Sequence, residues 1–256
     1  MPLRVGFLWL SVALWTVFSP LPVRGQSGGD SLAQTKPVRV LVITGGHPFQ
    51  EAPFLDLFRS MRTVTFEHSK YGAGAEAKFK PEAASNYDVF VFYDMNQDCS
   101  AYLNDLLAMF SAGKPAVFLH HALGSCPDDE EYSWLRGGKG RFDQRPQTPK
   151  LTWSGYKPNT SYRAHVAANH PITAGLSDFD FVDETYSNYL VLTDADVFLS
   201  ADKPGVGRQL GWTHQYKKSP IAYLLLGHGP SAYSNQNYRT LVERCILWAA
   251  GRLPPR

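Results

Sequence analysis

The chain of 256 residues has little cysteine, no strong charge of either sign and no second long apolar run after its N-terminus. Three cysteines, Cys99, Cys126 and Cys245, are too few for a disulfide-built scaffold, and none stands in a Cys-x-x-Cys pair. His-Glu-x-x-His is missing too, so any metal site has to be assembled from distant positions. Lys and Arg number 25 against 23 Asp and Glu, a formal charge of +2. Without a basic stripe there is no electrostatic footprint for nucleic acid. Gly45-Gly46-His47 lacks the Lys-Ser/Thr of a phosphate loop, and no other segment asks for a nucleotide cofactor.

The one apolar run lies at the start. Arg4 leads into Val5–Phe18, Pro20 and Pro22 break the run, and Val23 and Gly25 suit positions −3 and −1 of a signal-peptidase site. The expectation is a signal peptide over residues 1–25, cleaved before Gln26, and an exported chain, periplasmic or extracellular. An uncleaved anchor is the rival, but about 14 apolar residues fall short of the roughly 18–20 that span a bilayer. No Cys follows the run, which excludes a lipoprotein. Removal of residues 1–25 takes away Arg4 and Arg24 and no acid, so the formal charge falls from +2 to 0. What remains is enough for one well-cored domain and has no further candidate membrane span.

Residues 26–37 read as a flexible polar leader. Val38–Thr44 is a nearly continuous β-branched run, the mark of a strand buried on both faces. A helix is expected over Glu51–Met61, a second strand over Thr63–His68, and a third over Tyr87–Tyr93. A helix over Ala101–Ala112 and a strand over Pro115–Leu119 follow. This alternation predicts right-handed crossovers and a doubly wound, mostly parallel α/β sheet. Residues 124–180 are rich in Gly, Pro and aromatics, and predict a long excursion with short strands such as Tyr162–Val166. Later strands are expected over Asp196–Ala201 and Ile221–Leu226, the latter paired with Arg208–Thr213 through a hairpin. A last helix over Asn237–Ala250 carries Cys245 on its apolar side. Cys99 and Cys126 each follow a strand by a few residues, so they are placed to pair or to remain thiols.

Three strand ends carry histidine: His47, the pair His120-His121, and His228. Open α/β sheets bind ligands outside the carboxyl ends of their strands. Strand alternation lets only one of His120 and His121 face such a cleft. His170, in Asn169-His170-Pro171, either caps a turn or touches substrate. Glu184, in Asp183-Glu184-Thr185-Tyr186, suits a general acid/base, a metal ligand or a solvated turn. Trp134, Trp153, Tyr186 and Trp212 suit stacking on a sugar ring or ordinary core packing. A Ser-His-Asp hydrolase needs its nucleophile on a strand-to-helix elbow, and the elbow here reads Phe118-Leu119-His120-His121-Ala122.

In order along the chain, Val40–His47, Tyr87–Met95, Phe118–Ala122, Gly137-Gly138, His170–Leu176, Asp183–Tyr186, Gly227-His228-Gly229 and Trp248–Gly251 resemble the ThuA-like (trehalose-utilisation) family. The resemblance covers about residues 38–251, nearly all of the mature chain, and implies one domain over 38–253. It implies the class I glutamine-amidotransferase-like fold, a flavodoxin-like sheet with helices on both faces. His228 matches the late catalytic histidine of that fold, while His120 stands where an amidotransferase has its Cys nucleophile. That departure argues against glutamine hydrolysis.

The family is linked to disaccharides such as trehalose and to oxidised sugars, and the resemblance implies a small-molecule carbohydrate partner. It makes His120, His228 and Glu184 the catalytic candidates. His47, His121, Trp134, His170 and Tyr186 are the substrate-binding ones. It also implies a divalent metal such as zinc, with His47, His120, Glu184 and His228 as ligands. An exported enzyme acting on a disaccharide or keto-sugar glycoside is one reading. A non-catalytic carbohydrate-binding or structural module of the cell envelope is the other.

Overall fold

The computed structural model describes residues 36–142 and 153–253. The expected signal peptide, and all but the last two residues of the leader, lie outside the described residues. Eleven strands are described: β1 (Val38–Gly45), β2 (Val64–Lys70), β3 (Val89–Asp94), β4 (Ala116–Leu119), β5 (Gly138–Lys139), β6 (Gly155–Val166), β7 (Phe179–Ser187), β8 (Leu190–Val191), β9 (Asp196–Ser200), β10 (Gln209–Tyr216) and β11 (Ser219–Leu224). The α-helices are α1 (Glu51–Arg59), α2 (Pro81–Ala84), α3 (Leu103–Ser111), α4 (Glu130–Leu135), α5 (Pro230–Ser234) and α6 (Gln236–Ala249). None is long and apolar enough to cross a membrane.

Nine strands form one sheet in the order β2-β1-β3-β4-β11-β10-β9-β6-β7. The first five run parallel. Their 2-1-3-4-5 succession is that of a flavodoxin-like sheet. The remaining pairs are antiparallel.

Edge strand β2 alternates, whereas the inner strands of the parallel half are covered on both faces, which is why they read as nearly unbroken apolar runs. Alternation along β3 shows how. Phe90 and Phe92 point to one side, onto Phe79 and, from Phe92, onto Phe110 of α3. Tyr93 points to the other, stacked on Phe54 of α1 at 4.2 Å and edge-on to Tyr233 of α5. Phe92 also stacks on Phe118, and Phe118 on Tyr223, an aromatic row across three adjacent strands.

The excursion differs from its expectation. The short strand expected at Tyr162–Val166 is the end of a twelve-residue strand, β6, whose partner β7 was not anticipated at all. Only His165 and Val166 tie β6 to β9, so β6 and β7 form a ribbon anchored to the sheet at one end. The other end carries Tyr186 and Glu184 back to the parallel half.

Cys99 and Cys126 are bonded, with Cα atoms 5.6 Å apart. The bridge joins the loop after β3 to the loop after β4. Cys245 is a buried free thiol on α6.

Candidate active site

The strand ends converge. After β4 the chain enters a 3₁₀ turn, His120–Gly124, with His120 at a φ of +47°. A non-glycine residue in the left-handed region is a strained position that surrounding structure has to hold. It is also the backbone of a strand-to-helix elbow, here bearing imidazole where a nucleophile would stand. The turn overrides strand alternation, so the expectation that only one of the two histidines faces the cleft is corrected. Both rings are buried and both belong to one cluster, with His120 and His121 edge-on at 5.4 Å.

His120 sits at its centre. Nδ1 lies 2.8 Å from the Leu225 carbonyl oxygen, which only accepts, so Nδ1 carries the proton and donates. In the neutral ring this leaves a lone pair on Nε2. Tyr186 Oη at 3.0 Å donates to that lone pair, and His228 Nδ1 at 3.2 Å and Glu184 Oε1 at 3.6 Å lie beside the same nitrogen. His228 Nδ1 and Glu184 Oε1 are themselves 3.4 Å apart. Burial works against ionised Glu184, yet its carboxyl is held below the usual carboxylate range by the nearness of His120 and His228. Burial, followed by the Glu184 charge, pushes the Tyr186 phenol far up, so it stays a neutral donor.

His47 and His121 line the next rank. Their rings stack at 4.5 Å, and His47 lies edge-on to His228 at 5.9 Å. Burial first and neighbouring imidazoles second lower both below the ordinary histidine value, His121 well below it. Neither ring nitrogen of His121 meets a hydrogen-bond partner among the described residues. A Cβ at Gly46 would lie 2.5 Å from the Met95 backbone, so its bareness serves strand-end packing.

The donor set fits a metal. His120, Glu184 and His228 each offer one atom within mutual reach. Four ligands about 2.1 Å from a tetrahedral zinc lie about 3.4 Å from one another, and the three separations here are 3.2, 3.4 and 3.6 Å. His47 stands outside this triad, its ring engaged with His121.

Two other expected site residues are not brought to the cluster. His170 caps the 3₁₀ turn at Pro171, accepting from the Ile172 N–H at Nδ1, and its Nε2 meets Thr213 Oγ1 at 3.2 Å. Buried beside Phe198 and Trp248, it is a structural histidine. Trp134 is exposed on α4 and packs edge-on against Tyr216, in a groove apart from the histidines. Of the other aromatics, Trp212 is core: fully buried, stacked on Tyr223, its Nε1 donating to the Arg136 carbonyl. Tyr186 stacks on His120 and carries Phe142 on its far side.

A family model described as trehalose utilisation, ThuA, matches residues 39–249. The chain belongs to the ThuA family. Its fold is shared with a ThuA-like protein from Parabacteroides merdae at a TM-score of 0.70 and 18% identity, over 86% of this chain and 93% of that one. A ThuA-like protein from Bacteroides uniformis aligns at a TM-score of 0.62 and 17% identity, over 84% and 92%. A β-galactosidase from Bacillus circulans contains the same fold as part of a longer chain, at a TM-score of 0.55 and 8% identity, over 85% of this chain and 32% of that one. No curated protein matches this ThuA chain.

Sequence reasoning missed the residues that surround His120, Glu184 and His228. Asp183 accepts from the backbone N–H groups of Gly227 and His228. Tyr93, at the carboxyl end of β3, bonds the carbonyls of the same two residues. The rule that strand ends face the site would have found Tyr93. No local signal marks Asp183, because its partners are backbone groups 44 and 45 residues away.

Proposed function

We propose that this ThuA chain is an exported, carbohydrate-active enzyme whose working groups are His120, Glu184 and His228, acting on a disaccharide or a keto-sugar glycoside. The observation that carries the reading is the convergence of two imidazole nitrogens and one carboxylate oxygen at 3.2–3.6 Å. That set suits a zinc-like divalent ion, which His120 Nε2, His228 Nδ1 and Glu184 would hold. When bound, the ion supplies Lewis acidity to a sugar oxygen.

The chain's own residues do the rest. Leu225 fixes the His120 tautomer, so Nε2 stays available as a base or ligand. His228, its side chain about one-third exposed at 38%, is the member of the triad that solvent reaches most readily. Tyr186 donates at the His120 edge. The His47–His121 stack supplies a neutral wall, and Phe142 beside Tyr186 gives an apolar surface for a sugar face. Support for a sugar comes from the family's description as trehalose utilisation and from the fold's presence within a β-galactosidase. The Cys99–Cys126 bridge supports an oxidising compartment outside the cytoplasm.

The test is elemental analysis of the purified mature protein, followed by incubation with disaccharides and 3-keto-glycosides. We expect a bound divalent ion and a turnover that His120→Ala and His228→Ala abolish without unfolding the chain. Sugars bound but returned unaltered would place the chain among carbohydrate-binding modules. Absence of both metal and turnover would sink the enzyme reading. N-terminal sequencing of the secreted chain checks export, with Gln26 as the expected first residue.

A further inference from the structure

Besides its side-chain contacts, His228 is held through its backbone, where the N–H and carbonyl groups of Gly227 and His228 all have partners. Asp183 Oδ2 accepts the Gly227 N–H at 2.6 Å, and Oδ1 accepts the His228 N–H at 3.1 Å. Tyr93 Oη donates to the Gly227 carbonyl at 2.8 Å, and Tyr233 Oη donates to the His228 carbonyl at 3.0 Å. The two phenol oxygens lie 2.6 Å apart, so the Tyr233 proton is shared between the His228 carbonyl and Tyr93 Oη. Asp183 is 4% exposed, and among the described residues no Lys, Arg or His forms an ion pair with it. A buried carboxylate whose charge is met by two backbone N–H groups makes charge-assisted bonds, stronger than neutral ones and demanding in geometry.

The strand logic adds to this. Alternation puts Glu184 and Tyr186 on one face of β7 and Asp183 on the other. One strand therefore carries a member of the triad and, in the adjacent residue, the lock on another member's backbone. We propose that Asp183 is a positioning residue which, with Tyr93 and Tyr233, holds His228 Nδ1 at ligating distance from His120 and Glu184. The inference rests on reading those three as a metal triad. Groups that orient ligands in this way are worth about 10- to 100-fold in metal affinity.

The experiment compares wild type with Asp183→Asn, which keeps the volume but turns one acceptor into a donor facing an N–H. Zinc affinity is measured by competition with a chromophoric chelator, alongside amide exchange at Gly227 and His228 and the Tm. Asp180→Asn, an exposed change on the same strand, is the control. The expected result is about a tenfold or greater loss of zinc affinity and faster exchange at both amides, with the control unchanged. Equal zinc affinity in wild type and Asp183→Asn overturns the proposal. Should wild type bind no zinc, the triad reading fails by itself, and Asp183 is judged on exchange: unchanged protection of the two amides refutes its role. If Asp183→Asn does not fold, Tyr233→Phe removes the His228 carbonyl bond together with the contact to Tyr93 Oη, and an unaltered affinity there overturns the proposal.

Discussion

Asp94, at the carboxyl end of β3, is fully buried beneath the loop that carries His120. Ser125 Oγ donates to its Oδ2 at 2.8 Å, while Oδ1 has no partner. Burial pushes its carboxyl from 3.8 up to about 7, against the pull of the Ser125 bond and of buried Arg136. The folded chain therefore keeps this proton over a pH range where the unfolded chain has lost it. Between those two values the folded state binds more protons, so stability falls as pH rises, by about 1.4 kcal/mol per pH unit. The contribution is fully present below pH 3.8 and lost once pH passes about 7.

Asp94→Asn removes the titration and keeps an oxygen for Ser125 to donate to. From pH 4.5 to 7.5 the variant should gain roughly 3 kcal/mol on wild type, because every other titrating group is common to both chains. Urea unfolding at four or five pH values measures the difference directly. Two parallel stability curves would show that Asp94 ionises in place at no cost. The argument from its burial and its unpartnered Oδ1 would then be wrong.

The remaining predictions concern the loops that hold the site. Gly227 has a φ of +120°, and a Cβ there would lie 2.2 Å from Tyr238 Oη, whereas Gly229 has nothing within 4 Å. Gly227→Ala should cost about 3 kcal/mol and Gly229→Ala no more than about 0.5 kcal/mol; equal losses in thermal unfolding would contradict the packing described. The Cys99–Cys126 bridge closes a loop with a sequence separation of 27, so replacing both residues by Ala should cost roughly 3 kcal/mol. An unchanged denaturation midpoint, with free thiols counted before and after, would show that the loop is ordered without the bridge.

The parallel half of the sheet was readable for a physical reason. β1, β3 and β4 are covered on both faces, so their residues are apolar almost without interruption, and the ends of such runs declare themselves. His47, His120 and His228 were found because a strand end in this fold is a defined place. β7 was not readable. Its run Phe179-Asp180-Phe181-Val182-Asp183-Glu184 begins as apolar and polar alternation and then loses it, since Asp183 is buried to bond backbone and Glu184 is turned toward imidazoles. A strand whose inward side chains are polar for the sake of a site looks like a loop in sequence.

The amino acids alone therefore determined the α/β class, the strand ends and the histidines on them, because burial on two faces leaves a one-dimensional trace. Tertiary structure decided which histidines belong together. His170 and His228 both stand beside a turn, yet one bonds Thr213 and Ile172 while the other faces His120 and Glu184. It also decided that His120 and His121 share a cluster, through a backbone turn at φ +47°. Hydrogen bonds across 44 to 108 residues depend on where the chain returns to itself. Only the folded sheet fixes that.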